Sequence, residues 1–197
     1  MPNWCNNTLE LSHTEPAMIE QAVKAFRAGA LLNEFVPIPQ DLHITAGREG
    51  ADDDPKQILL EEREKANLER YGYRNWYDFA VGEWGTKWDV GGDDCNDAEV
   101  TEDGLKATMS FDSAWAPPIE FYAKLVDMGF SVRAYYYEPG MAFAGIWEDG
   151  DDDYYDYSGM KSGEIAEALP NELDEMFSIS EDAAMWEAEE EEFNKEE

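Results

Sequence analysis

The stretch LKATMSFDSAWAPPIEFYAKLVDMGFSVRAYYY, Leu105–Tyr137, decides how the chain folds. Leu105–Phe111 alternates apolar and polar residues and predicts a strand with one face buried. Pro117-Pro118 ends the extended run and opens a helix, because proline fits the first helical turn and obstructs later ones. Ile119, Phe121, Tyr122, Leu125, Val126 and Met128 supply its apolar side, and Gly129 is the stop. Phe130–Tyr137 reads as a second strand. This is strand–helix–strand within 33 residues, one half of a split βαβ unit.

Outward from that stretch, Ala98–Thr101 predicts a hairpin partner across the Asp103-Gly104 turn, and Met141–Trp147 a strand beyond Glu138-Pro139-Gly140. Toward the N-terminus, Asn6–Leu11 alternates as a strand. A helix opening at Glu15-Pro16 follows, with Met18, Ile19, Ala22, Val23 and Phe26 at three- and four-residue spacing and Gly29 as its end. The whole order predicts an α+β, ferredoxin-like split βαβ fold: an antiparallel sheet with two helices on one face. Between about 31 and 97 lies a helical, aromatic-rich insertion, expected to cover one side of the sheet or extend its rim. It holds a rigid Phe35–Pro39 segment and an exposed loop at Ala46–Pro55. A helix over Lys56–Tyr71 follows, with Ile58, Leu59, Leu60, Ala66 and Leu68 as packing candidates. The domain is predicted to span 1–150, and 151–197 to form an acidic, partly helical C-terminal extension.

The chain of 197 residues carries a formal charge of −32, with 8 Lys and 6 Arg against 46 acids. Such a field repels nucleic acid and an anionic membrane leaflet and attracts basic surfaces. Solubility or adaptation to salt explains high acidity equally simply. Half of the charge sits at the end: residues 151–197 hold 18 acids against Lys161 and Lys195, a net −16. Aromatic residues interrupt them, so Trp186 and Phe193, seven apart, are predicted to dock a helix onto the domain and fix its charges in a pattern. Over Glu181–Glu197 nine acids would span about 25 Å, a linear density of the same order as that of duplex DNA. Two cysteines, Cys5 and Cys95, make no disulfide framework. No basic segment with an apolar run follows Met1, so the expected location is the cytoplasm.

The sequence offers little for catalysis. It lacks a nucleophile elbow, a phosphate loop and a Gly-x-Gly-x-x-Gly turn, and His13 and His43 are the only histidines. Asp149, Asp151 and Asp153 occupy the first three ligand positions of a calcium loop, but Tyr154 and Met160 stand where the template needs Gly and Glu. Cys5, His13, His43 and Cys95 lack the paired short spacing of a zinc set. No metal or cofactor is therefore expected. One motif remains: Lys87 between Trp84 and Trp88, with Arg74 nearby, makes an alternative aromatic-and-cation pocket for a small ligand or nucleotide. The plainer reading puts these tryptophans in the core and pairs Lys87 with an acid. Tyr135, Tyr136 and Tyr137 on a sheet face would suit RNA, were the chain not acidic throughout.

Four blocks carry a resemblance: Met1–Asn7 (MPNWCNN), Asn75-Trp76-Tyr77 with Trp84–Asp89 (WGTKWD), Ser113–Pro118 (SAWAPP), and Tyr137–Gly140 running into Phe143-Ala144-Gly145. Over residues 1 to 150 the chain resembles the YubB-like family of phage and conjugative-plasmid proteins. The resemblance implies a ferredoxin-like domain and a mobile-element origin, and brings no activity with it. Combined with the charge, it leads to the expectation of a non-enzymatic, nucleic-acid-mimicking inhibitor of a basic host defence enzyme such as a restriction or CRISPR nuclease. Its binding surface would be Asp149, Asp151, Asp152, Asp153, Asp156, Glu164, Glu167, Glu172, Asp174, Glu175, Glu187, Glu189, Glu190, Glu191 and Glu192. The alternative is a small-ligand or nucleotide-binding domain using Trp84–Asp89 and Tyr137–Phe143.

Overall fold

A computed structural model describes residues 3–92 and 98–196. Among these residues six strands form one open antiparallel sheet: β1 (Trp4–Ser12), β2 (Ala98–Val100), β3 (Lys106–Ala114), β4 (Ser131–Glu138), β5 (Phe143–Glu148) and β6 (Asp151–Asp156). Their order is β2-β3-β1-β4-β5-β6. β1 lies at the centre with Leu9 opposite Met109 on β3 and Ala134 on β4. The fold is α+β, as the alternation of strand and helix patterns predicts.

One face of the sheet is lined by Cys5, Leu9 and Leu11 of β1, Ala107, Met109 and Phe111 of β3, Val132, Ala134 and Tyr136 of β4 and Trp147 of β5. Helices α1 (Pro16–Arg27) and α5 (Ile119–Asp127) contribute Ile19, Ala22, Val23, Phe26, Phe121, Tyr122 and Leu125 to the same core. Their three- and four-residue spacing puts these residues on one helical stripe, which is why the helices lie flat on the sheet. The insertion joins this layer through α2 (Leu31–Phe35), α3 (Pro55–Tyr71) and α4 (Trp76–Glu83), with Leu31, Leu32, Leu42, Phe79, Ala80 and Trp84 buried. Of the apolar residues expected to pack α3, Leu60 alone is buried, whereas Ile58, Leu59, Ala66 and Leu68 are exposed. The inner face of α3 is instead polar, with buried Asn67 bonding the carbonyls of Asp41 and Arg74 at 3.0 Å each.

The chain then turns to the other face. Tyr135, Ala144 and Ile146 are covered there by Tyr157 and by Ile165 of α6 (Ser162–Ala168). Leu169, Leu173 of α7 (Asn171–Phe177) and Ile179 at the start of α8 (Ile179–Glu196) complete the cover. The expected boundary at 150 falls in the turn between β5 and β6, and the aspartate-rich run read as the start of the extension is itself a strand. Its register sets Asp152 opposite Trp147 and Asp156 opposite Phe143. Charges along an edge strand disfavour pairing with another chain, and β6 carries four aspartates.

Candidate functional site

The acids of the C-terminal unit divide by what they hold. Asp149 closes the β5–β6 turn back onto β4, accepting from Val132 N at 2.7 Å and Ser131 Oγ at 3.0 Å. Asp152 accepts from the Tyr136 phenol at 2.7 Å. That phenol crosses β5 over Gly145, where any Cβ would collide with it. Burial, then this bond to a carboxylate, pushes the Tyr136 hydroxyl well above the ordinary phenol range. Asp156 accepts from Ser158 N at 2.9 Å, and Glu164 from Lys161 N at 2.9 Å. Glu172 takes the Arg133 guanidinium at 2.8 Å and the Tyr135 phenol at 3.3 Å.

Two more acids pin helices. Asp174 bonds Ser180 N at 2.7 Å and Ser180 Oγ at 2.5 Å, tying α7 to the first turn of α8. Glu187, on α8, reaches across to the N-terminus of α6, accepting from Ser162 N at 2.8 Å and Oγ at 3.0 Å. The Ser162 amide and hydroxyl hold the Glu187 carboxyl below its ordinary range. Negative charge at a helix N-terminus is favourable because the first amides have no partner within the helix. The side chains of Asp151, Asp153, Glu167, Glu175, Glu189, Glu190 and Glu192 face solvent. The side chain of Glu191 lies outside the described set.

Trp186 and Phe193 do not dock the helix. They are 72% and 65% exposed, and Met185 is 64% exposed. Ile179 and Ala183 pack against the body instead, and the Glu187–Ser162 bonds finish the contact. On a helical period, 179, 183, 186 and 193 share one stripe. That stripe outruns the surface beneath it, so its second half stands in water among Glu189, Glu190 and Glu192.

The WGTKWD block is split differently from either expectation. Trp84 is buried, and its Nε1 donates to Val36 O at 2.9 Å. Gly85, at φ +84°, passes so close to the start of α5 that a Cβ would lie 3.2 Å from Ile119 N. Thr86 is buried and exchanges two hydrogen bonds with the Ala114 backbone, at 3.0 and 3.1 Å. Asp89 accepts from Leu32 N, Asn33 N and Val90 N at 2.8, 2.9 and 2.9 Å, capping α2 from a distance in sequence. Burial pushes the Asp89 carboxyl up, against the lowering effect of those three amides. Four residues of the block are therefore framework, and Lys87 with Trp88 forms its outward tip.

Lys87 meets no described carboxylate at ion-pair distance. Its ammonium instead lies over the rings of Trp88, Trp115 and Tyr77, at 4.5, 5.4 and 5.7 Å from their centroids. Each such contact contributes about 0.5–1 kcal/mol at an exposed site. Trp4 extends the wall, 6.0 Å from Trp88. Trp115 and Tyr77 are the members of this cluster that the sequence reading missed. Tyr77 lies on the helix that leads into the loop, and Trp115 follows a strand distant in sequence, so only the assembled fold brings both to Lys87. Arg74 is exposed and enters only through its carbonyl, which accepts from Asn67.

The other alternative segment, Tyr137–Phe143, is a closed turn. The buried Glu138 carboxylate accepts from Gly140 N at 2.9 Å and Met141 N at 2.6 Å. Tyr135 and Tyr136 are buried and Tyr137 stacks on Tyr157 and Phe177, so this strand presents no aromatic platform. Burial raises the Cys5 thiol to about 12; Cys95 lies outside the described residues. Among the described residues no three His, Cys, Asp or Glu side chains converge as a metal site, and no helix is long and apolar enough to cross a membrane.

No family model matches the chain, and no curated protein matches it. Among solved structures, the crystal structure of a protein api92 from Yersinia pseudotuberculosis, family-model DUF1281, is similar at 13% identity and a TM-score of 0.36. The match covers 81% of this chain and 99% of that one, a likeness too slight to carry an argument.

Proposed function

We propose that the protein is a non-enzymatic acidic inhibitor whose C-terminal unit occupies the nucleic-acid-binding site of a basic host protein. The observation that carries this reading is α8. Glu189, Glu190 and Glu192 face water on the same helix as Met185, Trp186 and Phe193, three large apolar side chains left mostly uncovered. Apolar anchors rimmed by charge are the composition of a binding surface rather than of a solubilising tail. Asp174 and Glu187 hold the first half of this helix to α7 and α6, and the helix carries the charges outward from there. The choice of a restriction, CRISPR or similar defence enzyme as target rests on the resemblance to mobile-element proteins. The same reading takes the order β2-β3-β1-β4, with α1 and α5 packed into one core, as the ferredoxin-like split βαβ unit.

The test is capture from host lysate at about 0.1 M and about 0.5 M salt, followed by challenge with duplex DNA. Nucleic-acid-binding proteins should be retained at the lower salt and released by DNA. Changing Glu189–Glu192 to Gln should weaken capture and flatten its salt dependence. Capture that survives both the DNA and the substitutions would sink the proposal.

A further inference from the structure

The cluster around Lys87 is a built feature for which neither the core nor the acidic unit accounts. Three aromatic rings from three separate segments turn toward one ammonium: Tyr77 from α4, Trp88 from the pinned loop and Trp115 from the β3–α5 connection. Trp88 and Trp115 remain 39% and 42% exposed, so burial does not explain their position. Trp115 also sits at φ +70°, a conformation that a bulky side chain rarely adopts. Its amide donates to Asn3 O at 2.9 Å, which holds the strained residue in place. Trp84, Gly85, Thr86 and Asp89 fix both ends of the loop from which Lys87 and Trp88 project.

We propose that Tyr77, Trp88 and Trp115 form an aromatic box for an organic cation, with Lys87 as its built-in occupant. Ring faces carry negative quadrupole density and attract an ammonium or guanidinium group, and they do so best for a weakly hydrated alkylated one. The charge of the whole chain favours the same sign of ligand: −32 draws cations and repels anions. Among the described residues Lys87 has no carboxylate partner to lose, and its long flexible stem lets the ammonium leave for water when an external cation enters. The resident lysine thus acts as a competitor that sets a threshold for the ligand. The box is independent of the acidic C-terminal unit and stands whether or not that unit mimics nucleic acid.

The test uses the full chain, titrated with tetramethylammonium chloride at constant ionic strength and followed through the indole N–H resonances of Trp88 and Trp115. Lys87→Ala empties the box and should bind roughly three- to tenfold more tightly than the unaltered protein. Adding Trp115→Ala should abolish that gain. Lys87→Gln, which keeps most of the stem, serves if the alanine variant is not folded, and should show the same direction. A short peptide containing trimethyl-lysine distinguishes the source of the cation. Equal affinity places recognition in a free headgroup, and much tighter peptide binding places it in a side chain of a protein; both fit the box. Binding of tetramethylammonium that is unchanged or weaker without Lys87 overturns the proposal. So does adenosine monophosphate binding that depends on Lys87, which would make the cluster a stacking site for anions.

Discussion

Replacing Asp89 by Ala removes the acceptor of three backbone amides, Leu32, Asn33 and Val90, all within 2.9 Å of its carboxylate. Hydrogen bonds to a charged acceptor contribute about 1.5–3 kcal/mol each. One carboxylate serves all three, so the terms do not add, and its own burial, which raises the carboxyl, offsets part of the gain. The expected loss is about 2–4 kcal/mol. Asp89→Asn keeps one oxygen able to serve Leu32 and Val90 but lacks the charge, and should lose about 1–2 kcal/mol. Urea denaturation followed by circular dichroism gives both values from the shift in midpoint at unchanged slope. The same change should loosen the loop tip, because Asp89 is the anchor next to Trp88. The Trp4–Trp88 pair, 6.0 Å apart, should then lose its coupled indole signal. A loss below about 0.5 kcal/mol in the alanine variant, within the usual range for an ordinary surface change, would refute the assignment of this residue as the loop's clamp.

Leu173 is fully buried in the small second core, so Leu173→Ala should cost about 2–5 kcal/mol. It should also raise binding of an apolar dye, as Tyr135 and Ile146 lose their cover. Trp186→Ala, by contrast, should change the unfolding free energy by no more than about 0.5 kcal/mol, since the indole stands in water; a larger loss would return it to the role of anchor. The Glu187 carboxyl is held below its ordinary range, so its stabilising bonds to Ser162 are complete above the unfolded value of about 4.3. They are lost as pH falls through the lower folded value. Amide exchange at Ser162 should therefore accelerate on acidification relative to the Glu187→Gln variant, and identical profiles would show the bonds to be without effect.

The helices that were legible are those with a strong period on one buried face: Ile19, Ala22, Val23 and Phe26 on α1, and Phe121, Tyr122 and Leu125 on α5. β1, β3 and β4 were legible for the matching reason, alternation with one side buried. β6 was not, because an edge strand of aspartates, mostly wet on both faces, shows no alternation of hydrophobicity. α2 escaped notice because its five residues are stabilised by Asp89, which only the folded chain brings to them. Sequence spacing also failed to separate Trp84 from Trp88. Both lie in a loop, where no period says which side is inward, and the carbonyl that receives the Trp84 indole belongs to Val36. The acidic surface was visible as composition, but not the division of its members between those that bond backbone and those that face water.

That division constrains how the acidic segment can change over time. A tail kept only for its charge tolerates any exchange of aspartate for glutamate. Here Asp174 reaches Ser180, and Glu187 reaches Ser162, with side chains of different length chosen by the gap each spans. Asp174→Glu or Glu187→Asp preserves the charge and breaks the reach, so such positions should stay fixed in length while Glu189, Glu190 and Glu192 drift freely between the two acids.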